Sequence, residues 1–314
     1  MAKNMVKSTF NSIINDIREL ANTSLFINNI KRFDLNWDLT WAAMDTLEDT
    51  EYAITSYSND DIKSDQGKEY LRIYGLFQAI FMQQDAVRNL AEGFQLQGIN
   101  ISEDADAAKV REVRNKYFGH HKYKREGMTT YHGISRMTVG GNYITAWTYP
   151  NFSTEEINLR EAIATNREYI VKALDRIFSN MSKKKIEYIK SLEDELSEDG
   201  QGYAFEKLYS WVYGDTADRA AMTSFSLKTI RGCIDKLEQG LRERYDDISS
   251  LGDSERTIAK ARYALNELDE LYANNLNGVK GNFNAEILAD SLSVSFEDLI
   301  DVAREINAEF KTKK

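Results

Sequence analysis

The chain has 314 residues, 42% of them apolar and 29% charged, with 40 Lys and Arg against 50 Asp and Glu and a formal charge of −10. A single cysteine, Cys233, rules out an internal disulfide or a Cys-rich zinc site and points to a reducing, cytoplasmic setting, and no apolar run approaches the roughly 20 residues of a membrane span. The acidic balance argues against a protein that coats nucleic acid generally, and the lone proline, Pro150, argues for long uninterrupted helices.

From Met1 to Leu20, Lys3, Lys7, Asp16, Arg18 and Glu19 are mixed with apolar residues at helical spacing, which is not a secretory signal. Between Lys68 and Gln97, Tyr70, Ile73, Tyr74, Phe77, Ile80, Phe81, Val87, Leu90 and Phe94 step by three or four residues and predict a long amphipathic helix. Gly93 and Gly98 bracket its end. Ser102, followed by Glu103, Asp104 and Asp106, predicts the start of a helix that runs through Val110 and Val113 to a stop at Gly119.

The period changes between Met128 and Tyr149, where aromatic and β-branched residues flank Gly140-Gly141. That pattern predicts a β-hairpin over 128–149, which must lie against helices because a lone hairpin is marginal. Pro150 closes it, and Ser153-Thr-Glu-Glu156 reads as a capping box opening a helix that reaches Leu196. Ser197 to Gly202 is the best linker, placing a boundary between residues 1–196 and 203–314. Helices follow near 203–213, 217–248, 254–275 and 296–310; Ile258, Ala261, Leu265, Leu268 and Tyr272 form a short seam suited to bundle packing. The expected fold is all-α, a helical bundle with one inserted hairpin and a C-terminal helical region of unassigned role.

All three histidines, His120, His121 and His132, fall in or beside the densest positive charge. From Lys109 to Arg125 there are seven basic residues and one acid, Glu112: a local charge of +6, so the remainder of the chain carries −16. Histidine titrates near neutrality and can move a proton either way, while arginine presents a planar fork suited to phosphate. Arg114 is followed by Asn115, then by His120 beyond five intervening residues and His121 beyond six. Arg88-Asn89 has no histidine within reach, so an Arg-Asn pair alone carries no meaning.

This segment resembles the motif of the HEPN superfamily, an Arg, usually followed by a polar residue, and a His after four to six more, late on a helix. The resemblance implies a HEPN-type helical bundle over residues 1–196 that forms a homodimer and brings two motifs into one cleft. It implies a metal-independent endoribonuclease without cofactor, of the kind found in toxin–antitoxin, abortive-infection and other phage-defence systems. An antitoxin or another defence-system protein would then be a partner beside the RNA substrate.

On that resemblance the histidine assists loss of the ribose 2′-OH proton or protonates the leaving 5′-oxygen, help worth roughly 10²–10⁴-fold. Arg114 neutralises charge on the phosphorane, a role worth about 3–4 kcal/mol, and Asn115 orients the histidine or the phosphate. Lys116, Lys122, Tyr123, Lys124 and Arg125 would contact RNA, and DNA, which lacks the 2′-OH, would not be cut. The choice of histidine stays open: on an unbroken helix His121 lies about 20° from Arg114 and His120 about 120° away, whereas a helix ending at Gly119 frees His120, the better match to the common spacing. His121-Lys122-Tyr123 also matches a His-x-Tyr form found in some toxin members. Other superfamily members have lost catalysis and act as scaffolds or nucleotide-binding modules, which is the alternative here.

The remaining signals point to structure. Tyr117 and Phe118 read as packing, His132 as a structural residue of the hairpin and Cys233 as core; the histidines lack the companions of a zinc site. Ile287 to Ile300 faintly resembles a helix-turn-helix, yet its second helix carries Glu297, Asp298, Asp301 and Glu305 and would repel DNA. Lys183 to Lys185 and the Lys311, Lys313, Lys314 tail read as solvated, and Gly278 to Gly281 lacks the phosphate-loop spacing.

Overall fold

The computed structural model describes residues 9–59, 65–125, 128–192, 196–197, 201–214 and 220–310. The linker residues 198–200 and the C-terminal lysines 311, 313 and 314 lie outside them. The chain divides into two compact units, Met1–Asn22 with Phe33–Lys183, and Thr23–Arg32 with Lys184–Lys314.

The first unit opens with α1 (Phe10–Ala21), capped by Thr9, whose Oγ1 accepts from the Ser12 amide at 3.4 Å. In the second unit lies the short α2 (Ser24–Ile27); the first resumes with α3 (Trp37–Asn59) and α4 (Gln66–Gly93), which pack along their length. Ile73, Phe77, Ile80, Val87 and Leu90 of α4 are buried at the predicted steps, whereas Tyr74, expected on the same face, is exposed. A buried polar chain runs beside them. Gln84 Nε2 donates to Asn166 Oδ1 at 3.0 Å, Asn166 Nδ2 to Gln83 Oε1 at 2.6 Å, and Gln83 Nε2 to Glu51 Oε2 at 3.1 Å.

α5 (Ala105–Val113) starts two residues later than Ser102 predicts. Asp104 is the cap, its Oδ1 accepting from the Ala107 amide at 3.0 Å, and Ile101–Glu103 form a 3-10 turn before it. At Arg114 the helix widens into a π-helical turn, Arg114–Gly119, that ends at the predicted glycine.

A four-stranded antiparallel meander follows in place of a single hairpin: β1 (Lys122–Arg125), β2 (Met128–Ile134), β3 (Tyr143–Tyr149) and β4 (Ser153–Asn158), paired in chain order. Ser153 to Glu156 therefore forms a strand and not a helix cap. Pairing with β3 holds it there, because the register sets Ile157 opposite Ile144 and both are buried. The helix cap is Asn158, whose Oδ1 accepts from the Glu161 amide at 3.2 Å, and α6 (Leu159–Ser191) begins beyond it. His132, Ile144, Ala146 and Ile157 face inward. The aliphatic and alanine members of that face join Phe77, Ile80, Val110, Tyr117 and Ile163 in one core cluster.

In the second unit, α7 (Gly202–Tyr213), α8 (Ala220–Arg244), α9 (Ser254–Asn274) and α10 (Phe283–Phe310) form a helical array. Ile258, Ala261, Leu265 and Leu268 are buried along α9, as their spacing predicts. α10 starts well before residue 296 and runs unbroken through 287–300, so no turn divides that segment into a helix-turn-helix. Cys233 is half-buried on α8. The architecture is mainly α with one small sheet, and no described helix is long and apolar enough to cross a membrane.

Candidate functional site

The π-helical turn shapes the region of the motif. The His120 amide donates to the Asn115 carbonyl at 3.0 Å, a five-residue step that inserts an extra residue into the turn. His120 itself is extended, and the His132 amide donates to the His121 carbonyl at 3.0 Å, so the chain passes from helix into the sheet at the two histidines. Such turns are enriched at functional sites because they cost regular helix bonding and persist where a side chain must be re-aimed.

A cleft of about 540 Å³ opens between this turn and the inner edge of the sheet. Arg111, Glu112, Asn115 and Lys116 line it from the helix, His120 from the turn, and Tyr123, Met128, Thr130, His132 and Thr148 from the strands. The structure thus gathers four of the residues singled out in the sequence, Asn115, Lys116, His120 and Tyr123. Arg114 and His121 are not on the lining, and Lys122 and Lys124 project from the other face of β1. The Arg125 side chain lies outside the described residues.

Arg114 is half-buried and turned toward α4. Its Nη1 donates to Asn115 Oδ1 at 3.0 Å, its Nη2 donates to Gln78 Oε1 at 2.8 Å, and Cζ sits 4.1 Å from the Phe81 ring centroid. Arg111, one turn earlier, contacts the same ring at 4.0 Å but is paired with Asp85 at 2.9 Å. Both of Arg114's partners are neutral, and no carboxylate among the described residues lies within ion-pair distance of it. A Cβ at Gly119 would lie 3.0 Å from Arg114 Nη1, so the guanidinium packs beside the peptide that leads into His120.

The other cations and rings have distinct tasks. Lys116 Nζ is 3.9 Å from Glu155 Oε2, and the buried Tyr117 hydroxyl donates to the same oxygen at 2.9 Å. Phe118 stacks on Phe77 with centroids 4.2 Å apart, so both aromatics of the motif serve packing. His120 and His121 are exposed.

His132 is 6% exposed, with Nε2 2.9 Å from Thr130 Oγ1 and Nδ1 3.1 Å from Thr148 Oγ1. Burial, with the Lys116 ammonium next in weight, holds this imidazole below its ordinary range. Its burial suits the structural role read from the sequence, yet its ring and both threonines also form a wall of the cleft. Alternation along β2 placed Thr130 and His132 on one face, but only the strand register brings Thr148 opposite. Among the described residues no group of three or more His, Cys, Asp or Glu side chains is arranged to hold a metal ion.

No protein-family model, no curated protein and no solved structure matches the chain.

Proposed function

We propose that the chain is a metal-independent endoribonuclease of the HEPN type, acting in the cytoplasm as a phage-defence effector or regulated toxin. The observation that supports it is the cleft itself, where the exposed His120 stands beside Asn115 and Lys116 at the mouth of a basic turn. His120 takes the proton of a ribose 2′-OH, the O2′–P bond forms as the P–O5′ bond breaks, and the proton is returned to the departing 5′-oxygen. The products are a 2′,3′-cyclic phosphate and a 5′-hydroxyl, and no metal takes part. Lys116 offsets charge on the phosphorane from the cleft wall, and Arg114 acts as a positioning residue by holding Asn115 and the peptide before His120. Pairing of two chains as a homodimer, and restraint by an antitoxin or another defence protein, belong to the same reading.

The test uses purified protein, structured RNA and EDTA, with Arg114→Ala, His120→Ala and His121→Ala variants. Wild type is expected to leave 2′,3′-cyclic phosphate ends, and His120→Ala to lose roughly 10²–10⁴-fold in rate. No cleavage by wild type, or undiminished cleavage by all three variants, overturns the assignment.

One observation favours a second reading, a non-catalytic scaffold or nucleotide-binding module. The Arg114 guanidinium faces Gln78 and Phe81 and not the cleft that holds His120. On that reading Arg114→Ala lowers stability and no RNA is cut at any protein concentration.

A further inference from the structure

The motif occupies only one side of the sheet, and the opposite side carries a different pattern. Register sets Lys122, Tyr131 and Tyr149 in one row across β1, β2 and β3, and Gly133, Trp147 and Thr154 in the next row across β2, β3 and β4. These positions alternate with the buried His132, Ile144 and Ala146, so they form the outer face. Tyr131 is 46% exposed, Tyr149 44%, and Phe152, in the turn after β3, 63%. The rings are contiguous: Trp147 and Tyr149 centroids lie 5.3 Å apart, Tyr149 and Phe152 5.4 Å.

We propose that this outer face is a platform for single-stranded nucleic acid, the RNA substrate above all, with bases stacking on Tyr131, Tyr149 and their neighbours. Lys122 and Lys124 on β1 would take the phosphates. The inference rests on the ribonuclease reading for its biological substrate, but the surface makes the case for itself in three ways.

First, every large apolar side chain on the outer face of the strands is aromatic. A π-face accepts any base, whereas the buried centre of a protein interface is depleted in lysine. Second, Lys122 and Lys124 are exposed, and no described carboxylate pairs with either. The one acid on this face of the strands, Glu156, sits on β4 at the far edge from both. Third, Gly133 keeps the platform flat: a Cβ there would lie 2.3 Å from Trp147 Cζ2, so the indole can lie across the backbone of β2 only because position 133 has no side chain.

The geometry also connects the platform with the cleft. Tyr123 and Thr130, paired across β1 and β2, line the cleft from the inner face of the same two strands whose outer face carries Lys122 and Tyr131. A strand of RNA lying on the platform therefore reaches His120 by passing around the edge strand β1. A duplex, whose base faces are hidden, would not be held this way, and single-stranded DNA would bind without being cut because stacking needs no 2′-OH.

That difference separates the two proposals experimentally. Anisotropy of labelled oligonucleotides of about 12 nucleotides, within the span of known single-strand sites, reads binding alone when the strand is DNA. The full chain is expected to bind single-stranded DNA and RNA and to bind the matching duplex more weakly. Tyr131→Ala and Tyr149→Ala should each weaken single-strand binding about five-fold or more, the lower end for one stacked base. Tyr131→Phe and Tyr149→Phe, which keep the ring, should bind as wild type and show that the fold is intact. Affinity unchanged in both alanine variants overturns the platform. So does a shift of sedimentation in those variants with affinity unchanged, which would make the face a self-association surface. DNA binding lost in the alanine variants, with RNA never cut by wild type, keeps the platform and sinks only the nuclease.

Discussion

Replacing Arg114 by lysine separates charge from shape. Arginine in this position satisfies two amide oxygens at once, Asn115 Oδ1 at 3.0 Å and Gln78 Oε1 at 2.8 Å, while its Cζ lies 4.1 Å from the Phe81 ring centroid. Lysine keeps the charge but can reach at most one of the two oxygens, and it loses the guanidinium's contact with the ring. A hydrogen bond to a charged group is worth about 1.5–3 kcal/mol, and half-exposure takes the lost one toward 1 kcal/mol. With about 0.5 kcal/mol from the weaker ring contact, Arg114→Lys should cost about 1.5 kcal/mol. Arg114→Ala should cost about 2–3 kcal/mol, since both bonds and the packing of the stem are lost. Urea unfolding followed by tryptophan fluorescence reads this directly, because Trp37, Trp41 and Trp147 belong to the unit that holds Arg114 and only Trp211 to the other. A lysine variant within about 0.3 kcal/mol of wild type would refute the fork geometry, for no single ammonium replaces two divergent donors.

Asn166→Ala removes the middle of the buried amide chain and leaves Gln83 Oε1 without its donor and Gln84 Nε2 with only the Ala107 carbonyl at 3.5 Å. The expected loss is about 2–4 kcal/mol in urea unfolding, and a loss below about 1 kcal/mol would mean that water fills the gap. The lowered pKa of His132 gives stability a pH dependence of known sign. Below its unfolded value of about 6.5 the unfolded chain binds the proton more tightly than the folded chain, so stability is full above that value and falls as pH drops toward the folded value. His132→Asn should flatten that acid limb below about pH 6.5 relative to wild type, and an unchanged limb would place the titration elsewhere.

Periodic features carried the cores of α4 and α9 from sequence to structure, whereas the starts of α5, α6 and α10 fall away from where the sequence places them. The steps of α4 and the seam of α9 recur every three or four residues, and the aliphatic positions on them are buried, while Tyr74 stays exposed and Tyr70, Phe81 and Tyr272 are half-buried. The sheet was half legible. β2 and β3 have the aromatic and β-branched content of strands, whereas β1 is Lys-Tyr-Lys-Arg, whose single apolar residue shows no alternation. β4 carries Ser-Thr-Glu-Glu, the local signature of a helix start, and becomes a strand only because Ile157 finds Ile144 across the register. The histidine phase on an ideal helix also failed to transfer. A π-helical turn changes the angle per residue, and nothing in the apolar spacing announces it. Gln78, which holds Arg114, is 36 residues away in sequence and belongs to another helix, so the direction of the guanidinium was beyond any local pattern.

The position of the charges makes salt the sharpest probe of how RNA meets this surface. Each phosphate neutralised on a single strand contributes about −0.7 to the slope of log affinity against log salt. Lys122 and Lys124 on the platform and Lys116 in the cleft, the last within 3.9 Å of Glu155, supply two to three such contacts, so the slope should be about −1.5 to −2. The rate of association should behave the opposite way. At about 0.01 M salt the Debye length is about 30 Å and an approaching strand meets the field of the whole chain, whose net charge is −10. Near 0.15 M the length shrinks to about 8 Å and only the local +6 segment is felt, so association should quicken with added salt while affinity declines gently. Stopped-flow anisotropy gives both numbers from one titration. An association rate that falls steadily, or a slope near −5, would require more cations than these three lysines provide and would move the bound strand off this face of the sheet.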